Sequence, residues 1–405
     1  MEEKEERFDV VVVGGGPAGL SAAYTAAKGG AKVVLFEKDQ SIAHCIRTSG
    51  VTWISEMERL GIPSKFYNPI QNYRFISPSN DVIIRGDTAK SCVLDVRAVY
   101  QHLAFLAAKE GAQLMIKSTV TDVIKEGQKV AGVKASTPAG RLTVHSKLVI
   151  DASGFSTSVG RKAGIVDQWN RYGVGAEYEC YCDDIDSTTW ALMVGQNYSD
   201  AGYAWLFPLS KNRVRVGVGI GRPESNAEPL EKLNKIIEKR LKPLDSIGDG
   251  GKIQPLELHY GFIPNEGVRH SSIADGLIMV GDSAGQANPL VLEGIRYAIE
   301  FGRLAGKVGA DSLSRNSDRE SLLEYERSWK AKAESKIHSA LKVQMRWIGL
   351  TDEQWDKEIE ILRDMSVEEF LDFIKADFSR VNMMKLALHH PKVVARQLFN
   401  MILKS

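Results

Sequence analysis

The chain has 405 residues, 43% hydrophobic and 25% charged, the balance of a globular protein long enough for two or three domains. A formal net charge of +1, with no basic and aromatic residues interleaved along an extended face, excludes an electrostatic nucleic-acid binder. Cys45, Cys92, Cys180 and Cys182 are too few for a disulfide framework and lack paired zinc spacing, and no apolar run reaches membrane-spanning length, so a cytoplasmic protein without a structural metal is expected.

The first predicted element is a strand over 8–13, because FDVVVV ends in an unbroken β-branched run, as a parallel strand covered on both faces should. Gly14, Gly16 and Gly19 follow in G-x-G-x-x-G spacing ahead of an alanine-rich helix, and KVVLFEK supplies a second strand. This order is that of a dinucleotide-binding unit. Gly14 permits the turn, Gly16 lets a pyrophosphate approach the backbone, Gly19 lets helix and strand pack, and Glu37 ends the second strand where it can accept from ribose hydroxyls. The motif alone does not choose between NAD and FAD.

Residues 69–95 read as short strands, RAVYQHLAFLAAKEGA as a helix with Leu103, Leu106 and Ala107 on its apolar side, and 114–150 as strands again. KLVIDASG predicts a buried strand ending at Asp151 and turning at Gly154. Between 172 and 221 the alternation is that of an antiparallel sheet, and AGYAWLFPLS puts Tyr203, Trp205 and Phe207 on one face ahead of Pro208. As a bare pattern, three alternating aromatics fill a core face more often than a site. GLIMV at 276–280 predicts that the chain returns to the first sheet, ending at Gly281 and Asp282. From about 318 the sequence is helical, with capping-box patterns at Thr351–Gln354 and Ser366–Glu369. At the C-terminus Lys392, Arg396, Asn400 and Lys404 oppose Val394, Leu398, Met401 and Ile402. Such a basic amphipathic helix suits either peripheral contact with an anionic membrane surface or docking on the protein itself.

LVIDASGFSTSVGRKAG and GLIMVGDSAGQANPLVLEGIRYA resemble, in order and spacing, the second and third fingerprints of the p-hydroxybenzoate hydroxylase-type FAD-dependent oxidoreductases. Within that superfamily, YAWLFP, the NPLVLEGIRYA helix entry and LLEYERSW resemble the archaeal geranylgeranyl reductases over most of the chain. The resemblance implies an α/β fold: a Rossmann-like FAD-binding domain from 1–70, 95–170 and 270–315, an antiparallel-sheet substrate domain from 71–94 and 171–269, and a helical region over 316–405. It implies FAD contacts at Gly14, Gly16, Gly19, Glu37, Arg47, Thr48, Ser49, Gly50, Arg97, Val120, Asp151, Gly154, Gly281, Asp282, Gly294 and Ile295. Tyr203, Trp205, Phe207, Pro208 and Leu292 are the implied substrate contacts. The family's Arg-Cys-Gly run is replaced here: alignment on Arg47 puts Thr48 at the cysteine position and leaves Cys45, the candidate catalytic thiol, three residues early. Leu292 stands where the family usually has glycine.

The implied reaction saturates an isolated carbon–carbon double bond of an isoprenoid lipid, with hydride from reduced flavin N5 to one carbon and a proton to the other. Ferredoxin or a reduced nicotinamide is the expected electron donor. Positioning and exclusion of water carry such chemistry, and no His–acid pair stands out among the eight histidines. Two other readings share these motifs: an FAD-dependent monooxygenase or halogenase, and a non-enzymatic prenyl-binding protein. A tryptophan halogenase would show W-x-W-x-I-P where this chain has Y-x-W-x-F-P, and the intact GD turn and ribose acid speak for a bound flavin.

Overall fold

The computed structural model describes residues 4–246 and 251–377, with Met384, Leu388 and His389; the amphipathic stretch 392–404 lies outside the described residues. Its central layer is a six-stranded sheet in the order Ile273–Ala274, Leu277–Met279, Leu148–Asp151, Val10–Val13, Val33–Phe36, Gln113–Met115. All its pairings are parallel except that of the edge strand Ile273–Ala274. Val10–Val13 and Val33–Phe36 are buried at every position, which is why they read as unbroken apolar runs. The return of the chain at Leu277 places that strand beside Leu148–Asp151.

The helices Pro17–Lys28 and Ile295–Ser312 lie together on this sheet, joined where Thr25 Oγ1 donates to the Arg303 carbonyl at 2.8 Å. Their N-termini therefore come to the same end of the sheet as the glycine turns. Lys4–Arg7, which carried no strand signal, pairs in parallel with Gly140–His145 and forms a four-stranded sheet with Lys129–Thr137 and Thr119–Glu126. A three-stranded sheet joins Val51–Trp53, Ser91–Leu94 and Tyr67–Ile70.

The second large layer is a seven-stranded sheet in the order Ile253–Pro264, Tyr172–Cys182, Arg213–Arg222, Gly202–Ser210, Thr189–Met193, Asn72–Ile76, Asp81–Ile84. One face packs its own core, in which Cys180 and Cys182 are fully buried and burial raises their thiols to about 12 and about 11. The other face looks toward the glycine turns. The helices Arg319–Ile348, Asp352–Ile361 and Val367–Ile374 close the remaining side, the last two entered through the expected capping boxes. Phe370 inserts its ring among Tyr73, Phe75 and Trp190, at centroid distances of 5.2, 5.0 and 6.0 Å, and so latches these helices to the sheet.

Candidate active site

Between the two layers and the C-terminal helices runs one continuous cavity of about 1260 Å³. That exceeds the roughly 300–1,000 Å³ of an ordinary small-molecule pocket. One end is made of backbone. Gly14 has φ +111° and stands so close to the Ala152 carbonyl that an added Cβ would lie 2.3 Å from its oxygen, whereas a Cβ on Gly16 would meet nothing within 4 Å. The turn is thus pressed onto the neighbouring strand end at Gly14 and open to the cavity at Gly16. Glu37 borders the same space, its carboxylate accepting from the amides of Gly15 (2.7 Å) and Asp39 (2.8 Å). Arg47, Thr48, Ser49, Gly50, Val120, Gly154, Gly281, Asp282, Gly294 and Ile295 line it as well. Cys45 stands at its edge with an exposed side chain.

Four expected site residues are placed elsewhere. Gly19 is buried against the Gly14 carbonyl, doing the packing its spacing predicts rather than facing the cavity. Asp151 turns inward and accepts from Ser153 N and Oγ, Val159 N and Gly160 N; burial raises its carboxyl and these bonds pull it back. It braces the turn that presents Gly154. Arg97 pairs with Glu257 and donates to the Ala43 carbonyl, outside the cavity lining. Pro208 contributes only its carbonyl, which accepts from Asn68. Arg97 and Pro208 thereby fix the loop and the strand that the cavity residues occupy.

Asp282 is different: no described residue donates to its carboxylate. Burial raises it to about 6, and it faces the cavity beside Gly294, the residue that opens the helix Ile295–Ser312. A desolvated carboxylate without a partner, next to a helix N-terminus and a glycine cradle, fits a dinucleotide that brings polyol hydroxyls and an anionic pyrophosphate. The residues present therefore fit FAD.

The aromatic strand is organised by register. Trp205 pairs with Gly217, Gly217 with Glu177, and Glu177 with His259, so one row crosses four strands. A Cβ on Gly217 would lie 2.3 Å from the indole, which shows that the ring lies across this glycine. Lying there, it reaches the next strand, and Nε1 donates to Glu177 Oε2 at 2.6 Å. Phe207 stacks on Trp205 at 6.0 Å and 18°. Tyr203 donates to the Val291 carbonyl at 2.7 Å, so its position is set by a polar bond to the loop ahead of Ile295. Tyr203, Trp205 and Phe207 all line the cavity and belong at the same time to a packed apolar cluster with the C-terminal helices. The strand thus packs a core cluster and faces the cavity at once.

Leu292 takes the left-handed conformation, φ +50°, that a glycine would enter freely, and its Cδ1 lies 2.8 Å from where Gly173 would carry a Cβ. It also lines the cavity.

Sequence reasoning missed two groups. Buried Arg215 donates to the carbonyls of Ser49 and Leu94, both at 2.9 Å, and pairs with Glu179 at 3.1 Å, clamping the Arg47–Gly50 loop to the sheet. A buried His–acid pair also exists, contrary to expectation: His259 Nδ1 and Glu177 Oε1 are 2.8 Å apart, and both residues line the cavity.

Residues 9–223 match the model of the FAD dependent oxidoreductase family. Digeranylgeranylglycerophospholipid reductase 1 of Methanococcoides burtonii is 31% identical over 386 residues, 92% of each chain. The chain belongs to the digeranylgeranylglycerophospholipid reductases. The relative from Methanocaldococcus jannaschii is also 31% identical, over 89% of this chain and 92% of its own. This reductase superposes on the geranylgeranyl bacteriochlorophyll reductase-like protein of Thermoplasma acidophilum with a TM-score of 0.84 and 28% identity, covering 97% and 98% of the two chains. The flavin-dependent brominase Bmp2, at 18% identity and TM-score 0.68, shares the fold. The protein is accordingly an FAD-dependent reductase.

Proposed function

We propose that this reductase saturates isolated carbon–carbon double bonds in the geranylgeranyl chains of an archaeal ether-lipid precursor. The observation that carries the reading is the continuity of the cavity: the cradle that fits FAD opens without a break into a region walled by Trp190, Trp205, Phe207, Trp347, Ile359 and Phe370. Polyprenyl chains are long, flexible and apolar, and a surface of rings and branched side chains is what desolvates them.

FAD, when bound and reduced, supplies hydride. The chain's own residues do the rest. An unactivated alkene has no carbonyl to polarise, so orientation over the cofactor and removal of water are the main levers. Trp205 contributes to both, because Gly217 beneath it and Glu177 at its nitrogen fix the plane of its ring. Leu292, on the loop ahead of Gly294, presents a branched side chain to the cavity beside Gly173. Cys45 and Thr48 border that end, where an exposed thiol or hydroxyl can meet the cofactor or the entering chain. Either ferredoxin or a reduced nicotinamide suits the reading as electron source.

The test is anaerobic turnover of dithionite-reduced holoenzyme with an unsaturated archaeal-type lipid, read by mass spectrometry. Gain of two hydrogens per reduced bond is expected. An absolute need for oxygen, or incorporation of oxygen or halide, would overturn the reading in favour of a monooxygenase or halogenase. Failure to take up FAD would leave only a prenyl-binding role.

A further inference from the structure

Saturation of an alkene consumes a proton as well as a hydride, and a region walled by rings and branched side chains must import that proton. We propose that Glu177, His259 and Glu257 form a relay that brings it in, with Glu177 delivering it at the cavity wall; the proposal rests on the reductase reading above. The three residues form one file on the cavity-facing side of the sheet. Glu257 sits on the edge strand with its side chain 40% exposed. His259 follows two residues on, so its side chain shares that face, and it is directly opposite Glu177 in the pairing register. His259 and Glu177 are each 3% exposed.

The imidazole bridges the file. Nδ1 is 2.8 Å from Glu177 Oε1, while Nε2 is buried without a hydrogen-bond partner and lies 3.6 Å from Glu257 Oε2. A ring bonded on one nitrogen and idle on the other, between an exposed and a buried carboxylate, is built to pass a proton rather than to fill space. The surrounding charges hold the ends in place. Arg97 pairs with Glu257, Arg215 stands 3.7 Å from Glu177 Oε1, Glu179 is paired by Arg213 and Arg215, and Trp205 Nε1 occupies Glu177 Oε2. Trp205 thus couples the aromatic wall to the proton-carrying carboxyl.

The step balances. FAD, when bound and reduced, would supply the hydride to one alkene carbon, and the former π electron pair would take the proton of the Glu177 carboxyl at the other. The carboxylate left behind takes the Nδ1 proton of His259. Nε2 takes a proton from Glu257, which takes one from water, and a change of tautomer restores Nδ1–H.

Two measurements on full-length FAD-loaded protein test this. The first needs no substrate: solvent exchange of the His259 Nδ1 proton in the oxidised holoenzyme, identified as the imidazole signal that His259→Gln removes. Glu257→Gln, a change on the exposed edge, should slow that exchange at least about tenfold, and an unchanged rate overturns the relay. The second follows single-turnover reoxidation of pre-reduced protein by the unsaturated lipid. Glu177→Gln keeps the acceptor for Trp205 but carries no exchangeable acid, so the rate should fall about 100-fold or more, within the range for loss of a general acid. Flavin absorbance, lipid affinity and reoxidation by ferricyanide should stay within about threefold. A rate with lipid also within threefold of the parent overturns the proposal. If the parent itself is not reoxidised by the lipid, the reductase reading fails, and the exchange measurement still decides the relay.

Discussion

Asp282 carries opposite consequences for stability and for binding. Its carboxyl is raised to about 6 by burial, so between about pH 4 and 6 the folded FAD-free protein keeps a proton that the unfolded chain has released. This group therefore lowers apo-protein stability as pH rises through that window, by an amount on the order of 3 kcal/mol that is fully felt above pH 6. Asp282→Asn should remove that penalty: the apo-protein gains stability at pH 7.5 and gains little at pH 4. FAD affinity should fall about 10- to 100-fold at pH 7.5, the value of a charge-assisted hydrogen bond to a hydroxyl. Urea unfolding at the two pH values and a flavin-fluorescence titration check both signs; lower apo stability in the variant at pH 7.5 would contradict the account. Leu292 and Gly173 make a second residue-scale case. The left-handed backbone of Leu292 costs about 1–2 kcal/mol, and its side chain fills space that Gly173 leaves empty. Gly173→Ala should destabilise the parent yet be tolerated in Leu292→Gly. A double-mutant cycle by thermal unfolding should give a coupling of about 0.5–3 kcal/mol, and additivity would separate the two residues.

At the scale of elements, the row from Trp205 to His259 explains why the antiparallel sheet interrupts its apolar alternation with Gly217 and Glu177. The indole needs a strand without a side chain beneath it and an acceptor on the strand beyond. Gly217→Ala should lift the ring and release Glu177, costing about 1–3 kcal/mol in thermal unfolding, with a red shift of tryptophan emission. An unshifted spectrum would show that the ring does not depend on that bed. The same row marks the limit of what the sequence discloses. The glycine turns, the two apolar parallel strands and the capping boxes were legible because each is set by constraints within about ten residues: a positive φ, a buried run, a side chain bonding an amide three residues on. Glu177 and His259 are 82 residues apart and meet only through strand register, so neither position announced the other. Asp151 ends its strand, whereas Asp282 stands in the turn Gly281–Ala284, past the end of Leu277–Met279; a helix starting at Ser158 offers Asp151 two amides, and it turns inward to take them. Arg97 pairs with Glu257 on a strand whose closeness the sequence does not show.

At the scale of the whole molecule, one cavity spans two layers. The end that fits FAD belongs to the parallel sheet and its helices, whereas the far end is closed by helices that reach the antiparallel sheet through Phe370. Ligands that bind only the folded state stabilise it by mass action, about 2.7 kcal/mol at 100 times the dissociation constant, so each layer can be interrogated through its own ligand. Phe370→Ala removes a fully packed ring, a loss of about 3–5 kcal/mol where the site cannot collapse. Because that ring packs on Tyr73, Phe75 and Trp190 of the antiparallel sheet, added FAD should raise the unfolding temperature of the variant as much as that of the parent. A saturated isoprenoid lipid, which cannot be turned over, should raise it in the parent and do so far less in the variant, whose aromatic latch no longer holds the C-terminal helices over the chain. Differential scanning fluorimetry with each ligand alone and with both gives the comparison. Equal loss of the FAD and lipid responses would mean that the helices support the whole cavity as one cooperative unit. Loss confined to the lipid response locates the isoprenoid region beneath Phe370, and makes the latch the element that admits the substrate without disturbing the flavin.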